Sequence, residues 1–348
     1  MYIPFDLPVR GGDEDHLRRD GRCDLSVVVP AYNEAGNLTL LAERVRAALE
    51  PLDLDWELIV VDDGSRDGTW LEIGRLNAAD ARVRGIRFSR NFGHQYALHA
   101  GMATACGDAV VTLDADLQHP PELIPQLVRA WREGAEVIHT IRLDDPSASP
   151  LKRVSSRLFY RVYSALSGVE IEPGMADFRL LDRKVVESLL RFREQGLFLR
   201  GIVQWVGFRS SCVEFQAAAR ARGATKYTLR KMLRLAFDGL ASFSLIPLRL
   251  GIVLGMLTSA LAFSYLVYAL FVRLVLQTAV QGWASGVAIT SFLFGILFIL
   301  LGILGEYLSR ILIEVRGRPR YLVREQVGLG AATAAPLDTP AHRALELG

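Results

Sequence analysis

The chain has 348 residues, 51% of them hydrophobic, with a mean hydropathy of +0.23. That length suits one large domain or two modest ones, and the apolar share exceeds what a water-soluble enzyme needs, so part of the chain is expected in lipid. Lys and Arg total 40 against 38 Asp and Glu, a net charge of +2. This balance excludes the broad cationic surface that drives non-specific nucleic-acid binding, so no nucleic-acid partner is expected. Cys23, Cys106 and Cys212 are far apart and form no C-x-x-C pair, which argues against a zinc ribbon or a disulfide scaffold and fits a reducing compartment.

Residues 1–22 lack the charged start, apolar middle and small-residue cleavage site of a secretory signal and read as a flexible extension. From residue 25 the chain alternates short apolar runs with helical periodicity. Residues 25–30 (LSVVVP) and 57–61 (ELIVV) have the uninterrupted β-branched character of buried parallel strands. Between them, residues 37–49 place Leu38, Leu41, Val45 and Leu49 on one helical face. The pattern repeats with a strand at 83–88, a helix at 95–105, a strand at 109–113, a helix at 121–132 and a strand at 136–141. This alternation predicts an α/β domain over 23–224, with a mostly parallel sheet flanked by helices and ligands bound beyond the carboxyl ends of the strands.

Residues 225–246 read as an amphipathic helix on a membrane surface, because Lys226, Arg230 and Arg234 recur every four residues while Leu229, Leu233, Ala236 and Phe237 occupy the other face. Residues 250–272 then carry no charge and make about 34 Å of helix, enough to span a bilayer. A second uncharged run, 274–305, has an apolar centre at 287–304. A transmembrane hairpin over 247–308 is expected. Lys226, Arg230, Lys231, Arg234 and Arg249 precede it and Arg310, Arg316, Arg318 and Arg320 follow it, while the connecting loop offers only Arg273, so both ends are expected in the cytoplasm. A C-terminal juxtamembrane segment at 309–326 and a small-residue, Pro-containing flexible tail at 327–348 complete the chain.

The residues just after each strand carry the chemistry. After the first come Ala31, Tyr32, Asn33 and Glu34; after the second, Asp62-Asp63-Gly64-Ser65-Arg66-Asp67-Gly68-Thr69; after the strand at 109, Asp114-Ala115-Asp116-Leu117-Gln118. Neither G-x-G-x-x-G nor G-x-x-x-x-G-K-[ST] occurs, so neither a dinucleotide fingerprint nor a P-loop accounts for the site. Two Asp residues separated by one residue at a strand end, Asp114 and Asp116, suit a hard divalent cation bridging a diphosphate. Asp62 and Asp63 have two readings: a turn and cap for the next helix, or a hydrogen bond to a nucleobase or ribose. His119 reads as a loop residue, since hard-cation sites favour oxygen.

The strings VVVPAYNEAGNL, VVDDGSRDGT, RNFGHQYALHAGM and VVTLDADLQHPPELI, with RARGATKY and GILGEYLSRILIEVRGRPRYLV later, closely resemble family 2 glycosyltransferases of the GT-A fold. Over residues 25–325 the chain is similar to the polyprenyl-phosphate glycosyltransferases, a group that includes dolichol-phosphate mannose synthases and bactoprenol glucosyltransferases. The resemblance implies a nucleotide-sugar donor, Mg²⁺ or Mn²⁺, inversion at the anomeric carbon, a polyprenyl phosphate acceptor at the cytoplasmic membrane face, and a homo-oligomer. It also implies roles. Pro30, Tyr32, Glu34, Asp62 and Asp63 would hold the nucleoside; Asp114 and Asp116 the metal and diphosphate; Gln118 would lie near the donor sugar. Asp177 would lie near the acceptor, and Arg200, Arg220, Lys226, Arg230 and Arg234 near phosphates or lipid. The sugar is expected to be glucose from UDP-glucose, with mannose from GDP-mannose second.

The implied chemistry agrees with the residue inventory. A phosphate monoester with a second pKa of about 6 is already an anion at neutral pH, so a strong general base is dispensable and Asp177 serves to orient the acceptor or as an optional base. A processive polysaccharide synthase would bring Q-x-x-R-W and more membrane helices; the chain has Gln126, Arg129 and Trp131, one residue too long, and two apolar runs. A non-catalytic membrane scaffold on a degenerate fold is disfavoured by the intact Asp114, Asp116 and Gln118.

Overall fold

The computed structural model describes residues 23–143, 175–196, 199–216, 246–275 and 282–329. The expected helix at 225–246 lies, but for residue 246, outside the described residues, as do Arg220, Lys226, Arg230 and Arg234.

Strand β1 (Leu25–Ala31) is buried at every position, as expected of a strand covered on both faces. Helix α1 (Leu38–Leu49) turns Leu38, Leu41, Val45 and Leu49 onto the core, the face set by their spacing. Each fully buried Leu contributes about 1.5–3 kcal/mol relative to exposure. Strand β2 (Trp56–Asp62) is followed by α2 (Thr69–Ala79); β2, β3 (Val83–Phe88), α3 (His94–Thr104), β4 (Ala109–Thr112), α4 (Ile124–Arg132) and β5 (Val137–Arg142) lie within a residue or two of expectation, except that α4 is preceded by a 3₁₀ turn at Pro121–Leu123. Strand β6 (Met175–Asp182), α5 (Arg183–Leu190), α6 (Leu199–Trp205) and β7 (Ser210–Phe215) complete this part.

The sheet has eight strands in the order β7-β5-β6-β4-β1-β2-β3 with a final strand, β8 (Val323–Val327), beside β3. The block β4-β1-β2-β3 is parallel. The expectation of a mostly parallel sheet needs correction at three places. Strand β6 runs antiparallel to both neighbours, β4 and β5, and β8 runs antiparallel to β3, so the sheet is mixed. The strand at 323–327 falls where a juxtamembrane segment and the start of a flexible tail are expected, and its VREQV sequence is polar. It forms because β3 is otherwise an open edge whose backbone groups need partners. Tyr321 anchors it by stacking on Phe88, centroids 4.8 Å apart.

The two uncharged runs are helices: α7 (Ile246–Leu274) and α8 (Trp283–Arg316). They touch where Gly251 and Gly255 face Leu300, a small-residue spacing that allows close approach without a polar seam. Phe263, Leu261, Phe292 and Phe298 point outward and are 66%, 71%, 67% and 66% exposed, an apolar surface of the kind that marks a membrane or protein interface. Among the described residues one segment, Phe292–Arg316, is long and apolar enough to cross a membrane, with hydropathy 2.1. Gly317, in the left-handed region at φ 54°, ends α8. The last turn of α8 and the chain beyond it are tied to the α/β domain: Gln195 N–H donates to Glu314 Oε1 at 2.7 Å, and Arg320 donates to the Glu194 carbonyl at 2.8 Å.

Candidate active site

Parallel pairing puts the ends of β1, β2 and β4 at one edge of the sheet: Ala31 is in register with Asp62, and Val28 with Thr112. The loops after β1 and β2 are laced together. Ser65 Oγ accepts from Asn33 N–H at 2.9 Å, Asn33 Oδ1 accepts from Arg66 N–H at 3.0 Å, and Thr69 Oγ1 accepts from Glu34 N–H at 2.9 Å. Asn33 adopts a positive φ of 58°, which Asn tolerates better than most residues. Gly64 is required: at φ 71° a Cβ there would collide with the backbone of Arg90. Pro30 is buried in β1, Tyr32 is 43% exposed, and Glu34 is half-buried.

Asp62 and Asp63 are both buried, and both have local duties. Asp62 Oδ1 accepts from Ser65 N–H at 2.8 Å, the Asx-type turn, and Oδ2 lies 3.4 Å from Arg87. Asp63 accepts from the N–H groups of Phe92 and Gly93 at 2.7 and 2.9 Å, pinning the loop that opens α3. Burial pushes its carboxyl up, with those two N–H bonds opposing. Each carboxylate oxygen has lone-pair capacity beyond one such bond, so the turn role and a ligand role are compatible.

The D-x-D loop is closed by its own residues. Asp114 N–H donates to His119 Nδ1 at 3.1 Å, so the His119 proton is assigned to Nε2, and the ring stacks on Phe178 with centroids 5.5 Å apart. His119 is thus a buried loop residue. Leu117, between Asp116 and Gln118, stands at φ 61°, a conformation costing about 1 kcal/mol for a side-chain-bearing residue and typical of sites that aim groups at a ligand. The turn folds Gln118 back on Asp116, whose Oδ1 and Oδ2 accept from Gln118 N–H at 3.1 Å and Nε2 at 2.6 Å.

Asp177 reaches this loop through antiparallel pairing. Thr112 faces Arg179 across β4 and β6, and carrying that register two residues on sets Asp114 beside Asp177. Thr112 Oγ1 also donates to the Asp177 carbonyl at 2.6 Å. The Asp177 carboxylate accepts from Arg179 Nη2 at 2.6 Å and from Arg200 Nη2 and Nε at 2.8 and 3.2 Å. Burial pushes Asp177 up, but the guanidiniums of Arg179 and Arg200 outweigh it and hold the carboxyl well below the usual range. A carboxylate so strongly held as an anion is a feeble proton acceptor and a good positioner of cations.

Two residues that sequence reasoning did not single out join the site. His94, the first residue of α3, places Nε2 at 3.6 Å from Asp114 and 3.8 Å from Asp177. Its signal was its place after β3 inside RNFGHQYALHAGM. Arg179 is almost fully buried beside Asp177; its signal was the i, i+2 spacing along a strand, which puts both on one face.

Asp114 and Asp116 bring oxygen donors alone, and Glu34 stands close enough to feel both charges. Burial pushes Asp114 up against the pull of His119 and His94, and the Asp177 and Asp116 carboxylates push the same way. A partly buried cluster of like charges that raises its own protonation fits a hard divalent cation, which would relieve the repulsion. The edge thus has an acidic half, Glu34, Asp114 and Asp116, against a cationic half at Arg200, whose side chain is 34% exposed.

Residues 26–190 match the profile of glycosyl transferase family 2. The chain is 40% identical over 304 residues to the uncharacterized glycosyltransferase YkcC of Bacillus subtilis (strain 168), covering 87% of this chain and 94% of the relative. It is 37% identical over 301 residues to the SfII prophage-derived bactoprenol glucosyl transferase of Shigella flexneri, covering 86% and 97%. The crystal structure of mannosyl-3-phosphoglycerate synthase from Rubrobacter xylanophilus overlays with a TM-score of 0.44 at 18% identity, over 62% of this chain and 71% of that one.

Proposed function

The chain belongs to the family 2 glycosyl transferases and is a glycosyltransferase, and from that premise we propose that it moves glucose from UDP-glucose to a polyprenyl phosphate at the cytoplasmic face of a membrane. The observation that carries this reading is the division of one sheet edge into an acidic half and a cationic half. Two anionic reactants, a sugar diphosphate and a lipid phosphate, must be held within reach of each other, and opposite fields side by side suit that task. The relatives named bactoprenol glucosyl transferase, similar along nearly their whole length, support the lipid acceptor and the glucosyl group.

In this proposal Asp114 and Asp116 would hold Mg²⁺ or Mn²⁺, which when bound neutralises charge on the departing diphosphate. Tyr32 and Glu34, with Asp62 and Asp63 beneath them, line the nucleoside side. Gln118, fixed by Asp116, faces the donor sugar. Asp177 keeps Arg200 aimed at the acceptor phosphate and does not need to take a proton, because that phosphate arrives ionised and attacks the anomeric carbon with inversion. Helices α7 and α8 form the membrane hairpin, and Arg220, Lys226, Arg230 and Arg234 draw the lipid headgroup to the site.

The test is product analysis: membranes containing the protein, undecaprenyl phosphate, and either radiolabelled UDP-glucose or GDP-mannose, with and without EDTA. Label should enter the lipid fraction from UDP-glucose and stop with EDTA. Lipid labelling from GDP-mannose alone would replace the donor, and no lipid labelling from any nucleotide sugar would overturn the acceptor.

A further inference from the structure

The far end of the sheet, remote from the D-x-D loop, carries a second cluster. There β1, β2 and β4 begin side by side, Leu25 in register with both Trp56 and Ala109. Cys23 precedes β1 and Cys106 lies in the turn before β4. Though 83 positions apart in sequence, their Sγ atoms are 2.9 Å apart. That is about 0.9 Å more than a disulfide bond of ~2.05 Å. Both side chains are partly exposed, so a small oxidant can reach them.

The surround holds the two sulfurs in place. Ser26 Oγ donates to Glu57 Oε1 at 2.5 Å, Cys106 N–H donates to the same oxygen at 2.8 Å, and Gly107 N–H donates to Ser26 Oγ at 2.8 Å. Arg84 Nη1 lies 2.6 Å from Glu57 Oε2. Asp108 N–H donates to the Cys23 carbonyl at 3.1 Å, tying the two chain segments together beside the thiols.

We propose that Cys23 and Cys106 form a redox-active dithiol that closes reversibly to an intramolecular disulfide, stapling the entry of β1 to the turn before β4. Glu57 gives the cluster a third group within 4.8 Å, the makings of a metal site. Both its oxygens are engaged, however, by Ser26, Cys106 N–H and Arg84. Two thiols are half of the four ligands a closed tetrahedral site requires.

With hydrogen peroxide as the oxidant, the chemistry divides between the sulfurs. The hydrogen bond from Cys23 lowers the Cys106 thiol, against burial and Glu57 and with help from Arg84, while the same bond and burial raise Cys23. In the proposed step Cys106 supplies the attacking thiolate. Its sulfur bonds to one peroxide oxygen, the O–O bond breaks, and the departing hydroxide takes up a proton as water. Cys23 then attacks the resulting sulfenic sulfur, the S–O bond breaks, and the hydroxyl leaves with the Cys23 proton as a second water. Two thiols are oxidised to one disulfide and one peroxide is reduced to two waters.

The full-length protein in detergent is titrated with hydrogen peroxide, quenched with iodoacetamide and mapped without reduction, with exposed Cys212 as internal reference. The expected result is a Cys23–Cys106 peptide pair lighter by two hydrogens, appearing while Cys212 still takes label and reversed by dithiothreitol. The oxidised protein should melt several degrees above the reduced form, because the link restricts the unfolded chain. Cys106→Ser should abolish both the pair and the rise in Tm and leave Cys23 labelled. Cys23 and Cys106 still labelled after Cys212 is consumed would overturn the proposal. So would stoichiometric zinc that shields both thiols and is lost in Cys23→Ser, which would make the cluster a metal site.

Discussion

Replacing Asp177 by Asn removes a negative charge on which two guanidiniums converge. The Asp177 side chain is 12% exposed and that of Arg179 4%, with Arg179 Nη2 at 2.6 Å from Oδ1. Arg179 Nη1 is also buried and lacks a hydrogen-bond partner, so this guanidinium depends on Asp177. The amide keeps the shape but strands a buried cation, a change that costs about 3–5 kcal/mol when one member of a buried pair is removed. The Arg200 pair adds little, since that side chain is a third exposed. At about 2–4 °C per kcal/mol for a domain of this size, Asp177→Asn should melt roughly 6–20 °C below wild type at neutral pH. The sign of the pH dependence follows from the depressed carboxyl. Because the folded value lies below the unfolded value of about 3.9, the contribution is present in full above that value and is lost as pH falls through the folded value. The gap between wild type and variant should therefore stay constant from about pH 8 to about pH 5 and narrow below about pH 4. Circular dichroism melts of the detergent-solubilised proteins across that range test this. A variant melting within about 2 °C of wild type at pH 7, or a gap that widens on acidification, would refute the buried-pair reasoning.

Other expectations concern the D-x-D loop, the turn after β2 and the hairpin. Asp116→Asn should lower kcat at least about tenfold with the melting temperature nearly unchanged, because one ligand charge to the cation is lost where diphosphate charge develops; wild-type turnover in Mg²⁺ and Mn²⁺ would remove Asp116 from the metal site. Gly64→Ala should destabilise the domain by more than about 1 kcal/mol in denaturant titration, since the new Cβ meets the Arg90 backbone at a positive φ; an unchanged midpoint would mean the turn relaxes freely. For topology, Gln281→Cys should react with a membrane-impermeant maleimide in intact cells and Thr339→Cys should not; the reverse pattern would invert the orientation drawn from Lys and Arg.

Much of the α/β frame was legible in residue order. The runs at 27–30 and 58–61 are apolar at successive positions because a central parallel strand is covered on both faces, and Leu38, Leu41, Val45 and Leu49 repeat at a helical period because α1 buries one side. The D-x-D loop could be located for the same local reason: it follows an apolar strand and ends at a proline pair. Those signals span a dozen residues or fewer, and short-range periodicity records them.

What required the folded chain is every contact set by register or by distant segments. That Asp177 stands beside Asp114 depends on Thr112 facing Arg179 across an antiparallel pair, and a one-residue slip would turn Asp177 to the other face. His94 enters from the start of α3, and the turn duties of Asp62 and Asp63 depend on where Ser65, Arg87, Phe92 and Gly93 come to rest. The polar strand Val323–Val327 forms only because β3 presents an open edge. Cys23 and Cys106 looked unrelated along the chain and meet because β1 and β4 are sheet neighbours that begin in register. Composition and periodicity determined the class of structure and the placing of its loops. Pairing between segments scores or hundreds of residues apart decided which side chains face one another, because that choice depends on the energy of the whole packed sheet and leaves no local mark in the sequence.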